Sequence, residues 1–321
     1  MALKEWDQTV SDGTKLHMYE WKPENLKDVK GVLQIVHGSA EHMKRYDNFA
    51  KYMVKNGYIV IGDDHRGHGK TVQKEEDLGF FAEEEGWEKI INDLYEITLL
   101  IKKMYPNLQI VMFGHSMGSF MERHYIIKYD ANIQAAVICA TAYLPQMLLK
   151  FSKMIAKHHQ KKFGAKEKDL MVNRLSYEKL NKRFNKEGAT GVEWISTDKK
   201  IQKAFKDDRL SGQVFSTSAF KDMFNGLSFI HKQKNINKGP EDLPIFFVSG
   251  EDDPVGNFGK GVKKVYKRFK KHHTNVSFKL YPHARHEILN EPIKDEVYQD
   301  ILIFFNQSLA TKKSAEKKKK N

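Results

Sequence analysis

Two apolar patterns alternate along the chain. Short runs that are apolar through most of their length predict strands covered on both faces, as in a buried parallel sheet. They are "VLQIVHG" (Val32–Gly38), "YIVIGDD" (Tyr58–Asp64), "QIVMFGHS" (Gln109–Ser116), "AAVICA" (Ala135–Ala140), "PIFFVSG" (Pro244–Gly250) and "VSFKLYP" (Val276–Pro282). Between them, Tyr46–Asn56, Glu84–Met104, Met117–Tyr129, Lys260–Lys270 and Ile293–Phe305 carry apolar residues at helical spacing. This repetition predicts a doubly wound, mostly parallel α/β sheet. The opening differs: "EWDQTV", a turn at Ser11-Asp12-Gly13 and "KLHMYEW" read as an antiparallel hairpin leading into the sheet.

The rhythm stops between Tyr143 and Asn237. That stretch has helical segments such as "LPQMLLKFSKMIAKHH" and no strand pattern, so it reads as a helical cap inserted into the sheet domain. The expected organisation is a core over 1–142 and 237–308, a cap over 143–236 and a disordered lysine-rich tail over 309–321.

Charge refines this picture. Of the net +13, the cap holds +11, from 20 Lys and Arg against 9 Asp and Glu, and the final "KKSAEKKKKN" holds +5. The rest of the chain is therefore slightly acidic, at −3. The basic segments could draw an anionic membrane surface, or simply be solvated. They are not interleaved with stacking aromatics in a nucleic-acid-binding module, so no nucleic-acid partner is expected. There is no apolar run of about 18 residues to cross a membrane and no apolar leader. The single cysteine, Cys139, cannot form an internal disulfide and reads as a small buried residue. A cytoplasmic protein is expected.

The chemistry centres on "IVMFGHSMGSF" (Ile110–Phe120), where a predicted strand runs into Gly114-His115-Ser116-Met117-Gly118 and then a predicted helix. Gly-x-Ser-x-Gly in that setting is the pattern of a nucleophile elbow. A sharp strand-to-helix turn lifts the serine hydroxyl above the sheet and places it at a helix N-terminus. A serine needs a base, and the base an orienting carboxylate. Two late strands are followed by candidates: Glu251-Asp252-Asp253 after "PIFFVSG", and His283 and His286 after "VSFKLYP". Like Ser116, they lie at the carboxyl ends of predicted strands, where sites in open α/β sheets gather.

With "HGSAEHMKRY" (His37–Tyr46), "DDHRGHGKT" (Asp63–Thr71), "GHSMGS" (Gly114–Ser119), "SGEDDPV" (Ser249–Val255) and "ARHEILNE" (Ala284–Glu291) in order, the chain resembles the α/β-hydrolase family of monoacylglycerol lipases, lysophospholipases and serine aminopeptidases. The match spans most of 30–140 and 240–306 and does not extend through the cap. It implies Ser116 as nucleophile, Asp253 as acid and His286 as base. Asp253 fits the family's Gly-x-x-Asp, counted from Gly250, and Asp252 and Glu251 read as solvated loop charges. His283 stands where the family usually has a small residue and is the rival base. By position, the oxyanion hole is formed by the backbone N–H groups of Ser39 and Met117. His115, and Glu41, His42 and Arg45, read as loop-bracing residues.

Bland readings stand beside these. Asp64, His65, Arg66 and His68 crowd together, yet lack the further converging ligands that a zinc site requires, and read as a hydrogen-bonded loop. Met147, Leu148, Phe151 and Ile155 read equally as cap packing or as the lining of an acyl channel. The resemblance implies a serine ester hydrolase, needing no metal or organic cofactor, that acts on a small-molecule lipid monoester such as a lysophospholipid or monoacylglycerol. An aminopeptidase, a short-chain or xenobiotic esterase, or a non-catalytic binding protein on the same scaffold are the alternatives.

Overall fold

The computed structural model describes residues 1–129, 132–186 and 190–320, the side chains of 312–320 excepted. Eight strands form one sheet in the order β1-β2-β4-β3-β5-β6-β7-β8. They are β1 (Ala2–Thr9), β2 (Lys15–Lys22), β3 (Gly31–Val36), β4 (Tyr58–Asp64), β5 (Ile110–His115), β6 (Ala136–Cys139), β7 (Ile245–Gly250) and β8 (Val276–Tyr281). The expected hairpin is β1 and β2, which pair antiparallel; β2 joins β4 antiparallel, and every other pairing is parallel. The chain therefore has an α/β-hydrolase-type sheet.

Alternation along the buried strands sorts side chains onto two faces. Val32, Ile61, Met112, Ile138 and Phe247 join one apolar cluster, and their neighbours Leu33, Val60, Phe113, Val137 and Val248 join the other. Helices α2 (Gly86–Met104) and α3 (Met117–Lys128) cover the first face, and α1 (Asp47–Lys55) covers the second. The polar exception in β3, Gln34, is satisfied: its amide donates to the Leu94 carbonyl (3.0 Å) and accepts from Thr98 Oγ1 (2.7 Å). A buried amide left unpaired there would cost about 1–3 kcal/mol.

Between β6 and β7 lie α4 (Gln146–Phe163), α5 (Leu170–Tyr177), α6 (Lys199–Asp207), α7 (Thr217–Ile230) and the short α8 (Gln233–Ile236). Leu149, Ala156, Val172, Phe215 and Phe220 of this segment are continuous with the first-face cluster, so it packs onto the carboxyl side of the sheet as part of the same core. Helices α9 (Lys260–Phe269) and α10 (Lys294–Lys320) complete the fold. α10 runs on past Phe305, and Leu309, expected in the tail, is buried in the second-face cluster. The core boundary therefore moves beyond Leu309. The side chains of 312–320 and residue 321 lie outside the described residues.

Candidate active site

Ser116 links β5 to α3 with φ 53° and ψ −118°, a backbone conformation costing on the order of 1–3 kcal/mol in a non-glycine residue. Its N–H donates to the Cys139 carbonyl of β6 (3.0 Å), and its carbonyl accepts from the Ser119 hydroxyl (2.6 Å). The flanking glycines are needed for space. A Cβ on Gly114 would sit 2.6 Å from the Gly118 carbonyl oxygen, and one on Gly118 would collide with the carbonyls of Val36 and His37. Larger residues would therefore push the elbow off the sheet.

The loops after β7 and β8 bring Asp253 and His286 together. His286 Nδ1–H donates to Asp253 Oδ1 at 3.0 Å, which leaves Nε2 as the acceptor nitrogen. Asp253 is fully buried and also accepts from the Val255 N–H (2.9 Å) and Ser249 Oγ (3.2 Å). Ser116 and His286 line the same cavity. The rivals stand apart. Asp252 is half-buried and pairs with Arg183 (3.2 Å), and His283 is exposed.

Behind these loops, one carboxylate ties the site together. Glu41 Oε1 accepts from the Gly38 N–H (2.6 Å), Tyr46 OH (2.8 Å) and His115 Nδ1 (3.3 Å), and Arg45 bridges Glu41 to Glu287 (3.4 and 2.8 Å). Burial alone would raise the Glu41 pKa, but the bond and charge of His115, with Arg45 and Tyr46, outweigh it and hold it down at about 2. Burial likewise opposes charge on His115, yet Glu41 and Glu287 raise its pKa. Its second nitrogen faces the His286 carbonyl at 3.2 Å. With one ring nitrogen against Glu41 and the other against the His286 carbonyl, His115 links the Ser116, His286 and Gly38 loops.

His37 and His68 do the opposite job. Burial first, then the neighbouring imidazoles, lower both, His68 to about 3, so they stay neutral. Each then accepts a backbone N–H: His37 Nε2 from His65 (3.0 Å) and His68 Nε2 from Ala40 (3.3 Å). Asp64, a candidate ligand by composition, accepts from the N–H groups of Met43 and Lys70, both at 2.7 Å. Among the described residues, no group of three or more His, Cys, Asp or Glu is arranged to hold a metal ion. The Ser39 and Met117 N–H groups, by contrast, have no acceptor within the described residues.

Two chambers meet at Ser39, Ser116, Tyr177 and Trp194. One, of about 540 Å³, is lined mainly by apolar side chains, among them Phe120, Ile155, Val172, Met223, Leu227 and Val255. Leu148 and Phe151 also line it. Met147 does not: it is 84% exposed and absent from the lining. One residue along a helix turns the side chain by about 100°, which carries Met147 off the Leu148–Phe151–Ile155 stripe and onto the outer face. The second chamber, of about 390 Å³, is more polar and includes Glu41, Asn173, Arg174, Gln213 and Glu287.

Several lining residues were not singled out from the sequence. Trp194 packs against His286 with ring centroids 5.1 Å apart, Tyr177 OH donates to Ser39 Oγ (3.3 Å), and Gln213 lies beside the Ala40 loop. All three come from the insert between β6 and β7. An aromatic such as Trp194 in an otherwise lysine-rich stretch was the available signal.

The family model described as serine aminopeptidase, S33, matches residues 27–293. A monoacylglycerol lipase of Mycolicibacterium smegmatis is 24% identical over 297 residues, covering 90% of this chain and 92% of that protein. A probable lysophospholipase L2 of Haemophilus influenzae is 22% identical, covering 88% and 84%. Among solved structures, a thermostable carboxyl esterase from Bacillus coagulans in complex with glycerol superposes with a TM-score of 0.88 at 27% identity, covering 96% of this chain and 99% of that one. The sheet, the two covering layers and these matches agree, and the chain belongs to the serine aminopeptidase S33 family of α/β hydrolases, among hydrolases of the esterase and lipase type.

Proposed function

We propose that the protein is a serine carboxylic-ester hydrolase that cleaves lipid monoesters through an acyl-enzyme. His286 Nε2 takes the Ser116 proton as Oγ attacks the acyl carbonyl. Asp253 keeps the other imidazole nitrogen protonated and stabilises the imidazolium, and the Ser39 and Met117 N–H groups receive the oxyanion. His286 then protonates the leaving alcohol, and water, activated in the same way, releases the acid. The observation that carries this reading is that Ser116, in its strained elbow, shares a cavity with a buried His286–Asp253 pair just where an apolar chamber opens.

The apolar chamber also bears on the substrate. Among the described residues its only charged lining residue is Lys179, so the α-ammonium of an aminoacyl group would meet no carboxylate from them there. That argues for a fatty acyl chain over an aminopeptidase substrate, as do the names of the lipase and lysophospholipase relatives. The test is a series of p-nitrophenyl esters from acetate to palmitate. Each buried methylene contributes about 0.8 kcal/mol, so kcat/KM should climb by at least about tenfold from acetate to the mid-length chains. A profile that falls steadily from acetate would refute the lipid reading.

The cap's outer surface supports a peripheral contact with an anionic membrane. Met147, Met154, Leu170 and Met171 are exposed there, with Lys150, Lys153 and Lys157 on the same helix as the first two. Leu148, Phe151 and Leu175 are also exposed and line the apolar chamber, so this surface borders its mouth. Apolar insertion backed by lysines, each worth about 1 kcal/mol near such a surface, suits a lipid-water boundary. Met147→Glu/Met154→Glu should cut co-sedimentation with phosphatidylglycerol vesicles several-fold and leave hydrolysis of a water-soluble ester unchanged. Undiminished vesicle binding by the double variant would remove this contact from the account.

A further inference from the structure

Where the two chambers meet, Ser39 brings more than its backbone N–H. Tyr177, the last residue of α5, reaches in from the insert and donates its hydroxyl to Ser39 Oγ at 3.3 Å. A phenol, with an ordinary pKa of about 10, keeps its proton at neutral pH. With Tyr177 as donor, Ser39 Oγ is the acceptor and its own proton is left to give. Among the described residues that proton has no acceptor, just as the Ser39 N–H has none.

The backbone around this hydroxyl is fixed against the nucleophile. A Cβ on Gly38 would sit 3.2 Å from Ser116 Cβ, so the turn that carries Ser39 lies against Ser116. On its other side, Ala40 takes a φ of 53°, donates its N–H to His68 Nε2 (3.3 Å) and accepts from the Gly212 N–H (2.8 Å). In its gauche rotamers a serine Oγ lies about 3 Å from its own backbone nitrogen. A group that accepts from the Ser39 N–H is therefore within reach of the Ser39 O–H as well. A hydroxyl that accepts one hydrogen bond also donates a stronger one.

We infer that Ser39 supplies two donors to the oxyanion, its N–H and its hydroxyl, and that Tyr177 is a positioning residue that orients and polarises the hydroxyl. The inference rests on the ester-hydrolase reading above. As the bond from Ser116 Oγ to the acyl carbon forms, the carbonyl electron pair moves onto oxygen. That oxygen accepts from the Ser39 and Met117 N–H groups and from the Ser39 O–H. The Ser116 proton goes to His286, and Ser39 keeps its own.

The experiment measures kcat/KM for p-nitrophenyl butyrate and the inhibition constants of a trifluoromethyl ketone and its matching alcohol. The proteins are wild type, Ser39→Ala, Tyr177→Phe and the double variant. Ser116 adds to the ketone and leaves negative charge on its oxygen, whereas the alcohol has no carbonyl to attack. Inhibition constants do not depend on how much of the protein is folded. Ser39→Ala should lower kcat/KM and ketone affinity together by about 10²-fold, the low end for loss of one oxyanion donor, with alcohol affinity within about twofold of wild type. Tyr177→Phe should lower the same two quantities by about tenfold, the scale of one lost hydrogen bond. The double variant should match Ser39→Ala, because Tyr177 acts only through the Ser39 hydroxyl. Wild-type ketone affinity in Ser39→Ala, or losses that multiply in the double variant, overturns the inference while leaving the hydrolase reading intact. A wild type that neither cleaves the ester nor binds the ketone removes that reading, and this inference with it.

Discussion

Ser116→Ala should lower kcat for a p-nitrophenyl ester by about 10⁶-fold, the scale seen when a serine nucleophile is removed from a working triad. The residual rate, still about 10³-fold above water, would come from the oxyanion donors and substrate binding. Stability should barely move, by about 0.5 kcal/mol or less. The substitution deletes one oxygen and keeps the bonds that hold the elbow, from the Ser116 N–H to the Cys139 carbonyl and from the Ser119 hydroxyl to the Ser116 carbonyl. Steady-state kinetics alongside thermal unfolding checks both halves. Turnover within tenfold of wild type would mean that another group attacks the ester.

Asp253→Asn should cost about 10⁴-fold in kcat, whereas Asp252→Asn should stay within about twofold. An asparagine at 253 can turn its NH₂ toward His286 Nδ1, which then becomes the acceptor and moves the ring proton to Nε2. That nitrogen can no longer take the Ser116 proton. Asp252, in contrast, makes a partly exposed ion pair with Arg183, worth at most about 1 kcal/mol of stability. The same comparison separates the imidazoles: His286→Ala should approach the Ser116→Ala loss, and His283→Ala should be nearly silent. Pre-steady-state and steady-state rates on one ester suffice. Wild-type turnover in Asp253→Asn would reassign the acid.

These residues were legible in the sequence because parallel strands all deliver their carboxyl ends to one side of the sheet. β5, β7 and β8 each end in a loop at that same edge, so Ser116, Asp253 and His286 could be grouped from the order of strands and motifs alone. The alternation of Leu33 and Val32, or Phe113 and Met112, between the two apolar clusters comes from strand geometry alone. The insert has no such rule. Its helices dock onto the core through a few residues such as Leu149 and Phe215, and nothing in their spacing says which loop then reaches over Ser116. That is why Tyr177, Trp194 and Gln213 were missed.

Met147 shows the limit from the other side. A run containing Met147, Leu148, Phe151 and Ile155 looks like one stripe, but α4 has a core face at Leu149 and Ala156, a chamber face and an outer face. Apolar residues occupy all three, so hydrophobicity alone could not choose among them. Leu309 was misplaced for a similar reason: the lysines after it dominate the local composition, while its own side chain is held in the core.

The central claim is that Ser116 Oγ is made reactive by His286. It is tested most directly by intact-mass analysis after treatment with a fluorophosphonate. Wild type should gain one phosphonyl adduct that maps to the peptide containing Ser116, and both Ser116→Ala and His286→Ala should stay essentially unlabelled. An adduct on a different residue, or labelling of His286→Ala at the wild-type rate, would contradict it.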